Sequence, residues 1–133
     1  MKKSGILNAP LSEIVARLGH TDKLVICDSG LPIPNNAFVI DLAVTKNVPR
    51  FIDVLDVVLQ ELAVERIIIA DQLYKSSNGV MDDIKKLSNG IILEHVDHEE
   101  FKNITRSGNN VYFVRTGDMT PYANIILECG VTF

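Results

Sequence analysis

No stretch of this chain approaches the ~20 consecutive apolar residues that cross a membrane as a helix. The start, Met1-Lys2-Lys3-Ser4-Gly5, is basic, but too few apolar residues follow before Pro10 for a secretory signal, so a cytoplasmic protein is expected. Positive charge is not in surplus. Against 17 Asp and Glu stand 13 Lys and Arg, a net charge of −4, which gives no electrostatic footprint for nucleic acid. Cysteine is scarce: Cys27 and Cys129 both fall in expected strands and read as buried thiols rather than a disulfide. Cys-x-x-Cys and His-x-x-x-His spacings are missing, so no metal ligands are read. No glycine-rich dinucleotide fingerprint, no Walker loop and no nucleophile elbow occurs. These residue patterns call for no metal, nucleotide or other cofactor.

What remains is enough for a core. Hydrophobic residues make up 47% and charged residues 23% of the 133, a balance that argues against disorder. The length is that of one domain, residues 1–133. Apolar spacing i, i+3, i+4, i+7 at Leu11, Ile14, Val15 and Leu18 predicts a helix, opened by Asn8 and Pro10 and closed by Gly19 in the left-handed position. Leu24–Cys27 is a short apolar run that reads as an interior strand. Ala37–Leu42 is a second strand candidate. Pro49 to Leu62 predicts a helix with a wide apolar face and a narrow polar one at Asp53, Asp56 and Gln60. Val64–Ala70, with Ile67-Ile68-Ile69 at its centre, suits a central parallel strand. A short helix around Val80, Ile84 and Leu87 ends at Asn89-Gly90. The strand Ile91–Val96 leads into a helix capped by Asp97, with Glu100 three residues on. Val111–Thr116 and Ile125–Cys129 are the last strands. Helices and strands alternate, which predicts an α/β fold with a largely parallel sheet sandwiched between helices.

Histidine and acid fall at particular points of this pattern. His20 follows the helix-closing glycine. Asp28 sits at the carboxyl end of the first strand, the edge where open α/β sheets bind ligands. An imidazole and a carboxylate are the groups that move protons near neutrality. His98 lies at the same kind of edge, in the first turn of a helix, where a neutral, hydrogen-bonding imidazole is expected. His95 alternates along its strand and reads as a core or surface residue. Tyr122 and Asn124, in the loop before the last strand, bring a phenol and an amide, both able to contact hydroxyls of a small polyol.

Several blocks together resemble the ribose branch of the pyranase and fucose-mutarotase family. They are Lys2-Lys3-Ser4-Gly5-Ile6-Leu7-Asn8, Leu18-Gly19-His20-Thr21-Asp22, Asp28-Ser29-Gly30-Leu31-Pro32-Ile33-Pro34, His98-Glu99-Glu100-Phe101-Lys102, the run Arg115–Asn124, and Cys129-Gly130-Val131-Thr132-Phe133. The likeness runs from end to end of the chain and is weakest over residues 43–90. It implies a cofactor-free isomerase that interconverts the β-pyranose and β-furanose forms of D-ribose. It implies His20 as proton donor, sugar contacts from Asp28, His98 and Tyr122-Ala123-Asn124, and Lys102 as a further contact. It also implies a homodecamer of two stacked pentameric rings, with sites near subunit boundaries.

The chemistry fits such residues. Changing ring size needs a proton on the ring oxygen, loss of one from the anomeric hydroxyl, and reclosure through a different hydroxyl. Nothing is oxidised and no group leaves. One residue titrating near neutrality can give and retake the proton. Whether Asp28 orients His20 or binds a hydroxyl is open at this level. So are three other functions: mutarotation of a 6-deoxy sugar, non-catalytic sugar binding beside a transporter, and a plain interaction module. A metal-dependent aldose–ketose isomerase is disfavoured by the missing ligand spacing.

Overall fold

The computed structural model describes residues 1–133. Its chain order is α1 (Ala9–Arg17), β1 (Lys23–Cys27), β2 (Phe38–Asp41), α2 (Phe51–Leu59), β3 (Val64–Ala70), α3 (Asp71–Tyr74), α4 (Val80–Leu87), β4 (Ile92–Val96), α5 (His98–Arg106), β5 (Val111–Arg115) and β6 (Ile125–Cys129). The six strands form one sheet in the order β2-β5-β1-β6-β3-β4. The pairs β1·β5, β2·β5 and β3·β4 are parallel, whereas β6 runs antiparallel to both its neighbours, β1 and β3. Five strands therefore share one direction and β6 opposes them.

Strand alternation sends side chains to two unequal faces. On one face Leu24, Ile26, Ile67, Ile69, Ile125 and Leu127 pack with Leu11 and Ile14 of α1, Phe51, Leu55 and Val58 of α2, Leu73 of α3 and Ile84 of α4. On the other, Val25, Cys27, Ile68, Phe113 and Ile126 pack with Phe101 of α5 and with Leu31. The result is three layers, with four helices on one side and a single helix on the other. The wide apolar face of α2 meets the sheet, and its flank rests on α4.

Local chemistry explains most boundaries. Asn8 caps α1 by accepting the Leu11 N–H at 2.9 Å, and Asp97 caps α5 by accepting the Glu99 N–H at 2.9 Å. Gly90 adopts φ 83° after α4, as a helix-closing glycine does. Gly19 departs from expectation. Leu18 closes α1 in an extended conformation, and it is Thr21 that takes the positive φ, 69°. The Gly19 N–H is held instead by the Asp22 carboxylate at 2.8 Å, and that local ring does the turning. Helix α3, four residues long, is too short to carry a periodic signal. The strand candidate Ala37–Leu42 appears as β2, at the sheet edge.

Candidate active site

The shared direction of five strands gathers their carboxyl ends along one edge. Asp28 follows β1 there, Asp71 and Gln72 follow β3, and Asp97 and His98 follow β4. Because β6 is reversed, its amino end lies at this same edge and delivers Tyr122-Ala123-Asn124. Asp28 and Asn124 lock onto each other. Asn124 Nδ2 donates to Asp28 Oδ2 at 2.9 Å, and the Asp28 N–H donates to Asn124 Oδ1 at 2.8 Å. The second carboxylate oxygen accepts the Gly30 N–H at 2.9 Å. Asn124 is buried, Asp28 half-buried. Burying an amide is tolerable here because the reciprocal pair satisfies it.

Tyr122 holds the left-handed conformation, φ 64°, uncommon for a residue of its size and often found at binding sites. Its carbonyl accepts the Asn124 N–H at 2.7 Å. Its ring meets His98 edge to face, centroids 5.0 Å apart, and His98 in turn lies nearly parallel to Phe101. Ala123 is fully buried in the core, so what it can offer a ligand is backbone. Lys102 stands one turn beyond His98 on α5, and its ammonium is engaged by Glu99 at 2.6 Å.

The loop that carries Tyr122 is clamped from below. The Asp118 carboxylate, which sequence reading passed over, is buried and accepts the N–H groups of Phe51 and Thr120, each at 2.8 Å. It thereby caps α2, whose own N-cap residue, Arg50, makes no side-chain cap. A Cβ on Gly117 would fall 2.4 Å from the Thr45 carbonyl oxygen, so only glycine fits that crossing. The signal was the Gly-Asp pair opening a polar loop, but its partner lies 67 residues away.

His20 is elsewhere. It precedes β1, while Asp28 follows it, and five residues of strand separate the two edges by ~16 Å. At the amino edge Thr21 donates to the Cys129 carbonyl at 2.9 Å, and His20 Nε2 lies 3.2 Å from Glu65 Oε2 at the start of β3. The His20 side chain is exposed. It borders a cleft of about 310 Å³ lined by Val15, Leu18, Leu62, Val131 and Phe133 among others. Within one chain Asp28 therefore does not orient His20. Glu65 holds that position, and the Asp28 carboxylate is committed to Asn124 and Gly30.

His95 is a surface residue. Its Nδ1 is 2.5 Å from Asp71 Oδ1 and its ring stacks on Tyr74 at 4.1 Å. Cys27 and Cys129 are buried, unpaired thiols, and burial pushes both up to about 12. No three His, Cys, Asp or Glu side chains are placed to hold a metal ion. No helix is long and apolar enough to cross a membrane.

Fold and side-chain placement together define an α/β protein with a polar edge where five parallel strands end and a separate imidazole on the opposite edge. The chain belongs to the RbsD / FucU transport protein family, which it matches over residues 1–132. It is 49% identical to the D-ribose pyranase of Geobacillus thermodenitrificans over 133 residues, all of this chain and 99% of that one. It is 48% identical to the D-ribose pyranase of Pectobacterium atrosepticum, with both chains fully covered. The structure of Bacillus subtilis RbsD complexed with D-ribose superimposes with a TM-score of 0.91 at 44% identity over all of both chains. The fucose mutarotase of Streptococcus pneumoniae, in complex with L-fucose, shares the fold at TM-score 0.82 and 19% identity.

Proposed function

We propose that this chain is a sugar ring isomerase that interconverts the β-pyranose and β-furanose forms of D-ribose. The observation that carries the reading is the carboxyl-edge group of Asp28, His98, Tyr122 and Asn124, in a chain alike from end to end to one solved with D-ribose. Asp28 accepts from sugar hydroxyls with the lone pairs that Asn124 and Gly30 leave free. The Tyr122 phenol, the His98 imidazole and the Tyr122–Asn124 backbone take the remaining hydroxyls, and Lys102 reaches the same edge from α5. His20 donates a proton to the ring oxygen while the anomeric hydroxyl gives one up to water. The C1–O bond to the ring breaks, and the open aldehyde rotates. The alternative hydroxyl then adds to C1 as the protons are returned. No electrons are transferred and no atom is lost.

His20 and Asp28 lie on opposite sheet edges, so one chain does not bring them together. A neighbour does so if its amino edge, with His20 and Val131–Phe133, docks on the carboxyl edge of this chain. Such a contact joins two different surfaces, and repetition closes it into a ring when the rotation per subunit divides a full turn. This supports the ring-based homodecamer that the family resemblance implies, and residues 1–133 act in it as one domain. Two buried, unpaired thiols suit the reducing cytoplasm.

Saturation-transfer NMR of D-ribose tests the function. The protein should speed pyranose–furanose exchange, and His20→Ala should lose roughly 10²–10⁴-fold of that acceleration while remaining folded. Asp28→Ala should weaken ribose binding as well as rate. Unfolding and refolding the two variants together tests the shared site. Random rings would recover about a quarter of the sites, each pairing an intact His20 with an intact Asp28. No recovery would mean that each chain builds its own site.

A further inference from the structure

Three buried side-chain atoms have no hydrogen-bond partner: Arg66 Nε, Gln72 Oε1 and His98 Nδ1. Arg66 lies toward the amino half of β3, with its guanidinium held between Glu94 and Glu128. The other two sit at the carboxyl edge, beside one residue, Asp97. Gln72 Nε2 donates to Asp97 Oδ1 at 3.3 Å, and His98 follows Asp97 in the chain. Buried polar atoms are normally paired, and an acceptor and a ring nitrogen orphaned around one carboxylate call for a common explanation.

The orientation of the Gln72 amide is not free. Asp97 also accepts the Glu99 N–H, and its carboxyl is held below the usual range, first by that backbone donor and then by Gln72. An ionised carboxylate only accepts. Gln72 must therefore turn its NH₂ to Asp97, which leaves its carbonyl in need of a donor. Of the orphaned donors, His98 Nδ1 is the one at this edge. The neighbouring residues of α3 grip the same corner: Asp71 is paired with His95, and Tyr74 stacks on the His95 ring. Helix α3 thus holds both ends of the turn from β4 into α5.

We propose that Gln72 is a positioning residue for His98, its carbonyl accepting through one bridging water from Nδ1–H and so fixing the imidazole as the Nδ1–H tautomer. Nε2 then carries the lone pair and accepts a hydrogen bond from a sugar hydroxyl. This role rests on the sugar-binding edge proposed above. The tautomer, unlike the activity, can be read without sugar.

Long-range ¹H–¹⁵N correlation on the full chain at neutral pH, with His98 assigned by comparison with His98→Asn, reads the proton's position. Wild type should show Nδ1–H at His98. Gln72→Leu should shift the ring toward the other tautomer and weaken ribose binding several-fold, with His20 and His95 signals unmoved. An Nε2–H tautomer in wild type overturns the proposal, even if Gln72→Leu fails to fold. An Nδ1–H tautomer that survives Gln72→Leu unchanged overturns it as well. If wild type fails to accelerate ribose exchange, the proposed function fails, and the tautomer result still decides the role of Gln72.

Discussion

Asn124 makes the tightest connection between sequence and site. One buried amide fixes the carboxylate at the end of β1 and is itself fixed by it, across 96 residues of chain. Asn124→Leu should leave the Asp28 N–H without its partner and cost about 1–3 kcal/mol of stability. Chemical denaturation would read that loss, and ribose titration should show binding weakened along with it. A variant as stable as wild type would mean that water replaces the amide without loss. Asp28, His98, Tyr122 and Asn124 were each legible as candidates, from their positions at strand and helix ends and from the motif blocks around them. The pairing was not, because residues so far apart leave no periodic trace. His20 was legible too. Its distance from Asp28 was implicit in the five residues of strand between them, which read first as proximity in sequence.

Strands and helices were read with little error where apolar periodicity is strong, as in β3 and α2. Two things at this scale escaped. Helix α3 is shorter than the period that reveals a helix. The direction of β6 escaped because hydrophobic alternation looks the same from either end; its run Ile125-Ile126-Leu127 specifies a buried strand and nothing about orientation. The reversal has an electrostatic companion. Across four adjacent strands Lys23, Glu128, Arg66 and Glu94 form a row, with Arg66 Nη2 2.7 Å from Glu128 Oε2. Arg66 holds the Glu128 carboxyl below its usual 4.5 against the opposing effect of burial. The stability this contributes is complete above that usual value and is lost as pH falls through the depressed folded value. Glu128→Gln should therefore cost about 1–2 kcal/mol at neutral pH. Its unfolding curve should converge on that of wild type in acid. Curves that stay parallel down to pH 3 would assign the acid sensitivity to other carboxylates.

At the scale of the whole molecule the two edges of the sheet are unlike. One carries Asp28, His98, Tyr122 and Asn124, the other His20 and the exposed Val131 and Phe133. Removing Val131–Phe133 should loosen the assembly in sedimentation and slow ribose exchange, although every residue of the carboxyl edge remains. A fully active monomer would show that the tail and the ring have no part in catalysis. The reversed strand gives this arrangement a further property. Its amino end carries Asn124, and its carboxyl end, through Cys129, holds the turn bearing His20, which in the proposed ring reaches into the next site. In that ring each β6 would be a strut shared by two neighbouring sites, and a chain with a damaged β6 would remove both from service. In mixed rings the surviving sites should fall as about the square of the intact fraction, so that a minority of faulty chains poisons more activity than its numbers account for.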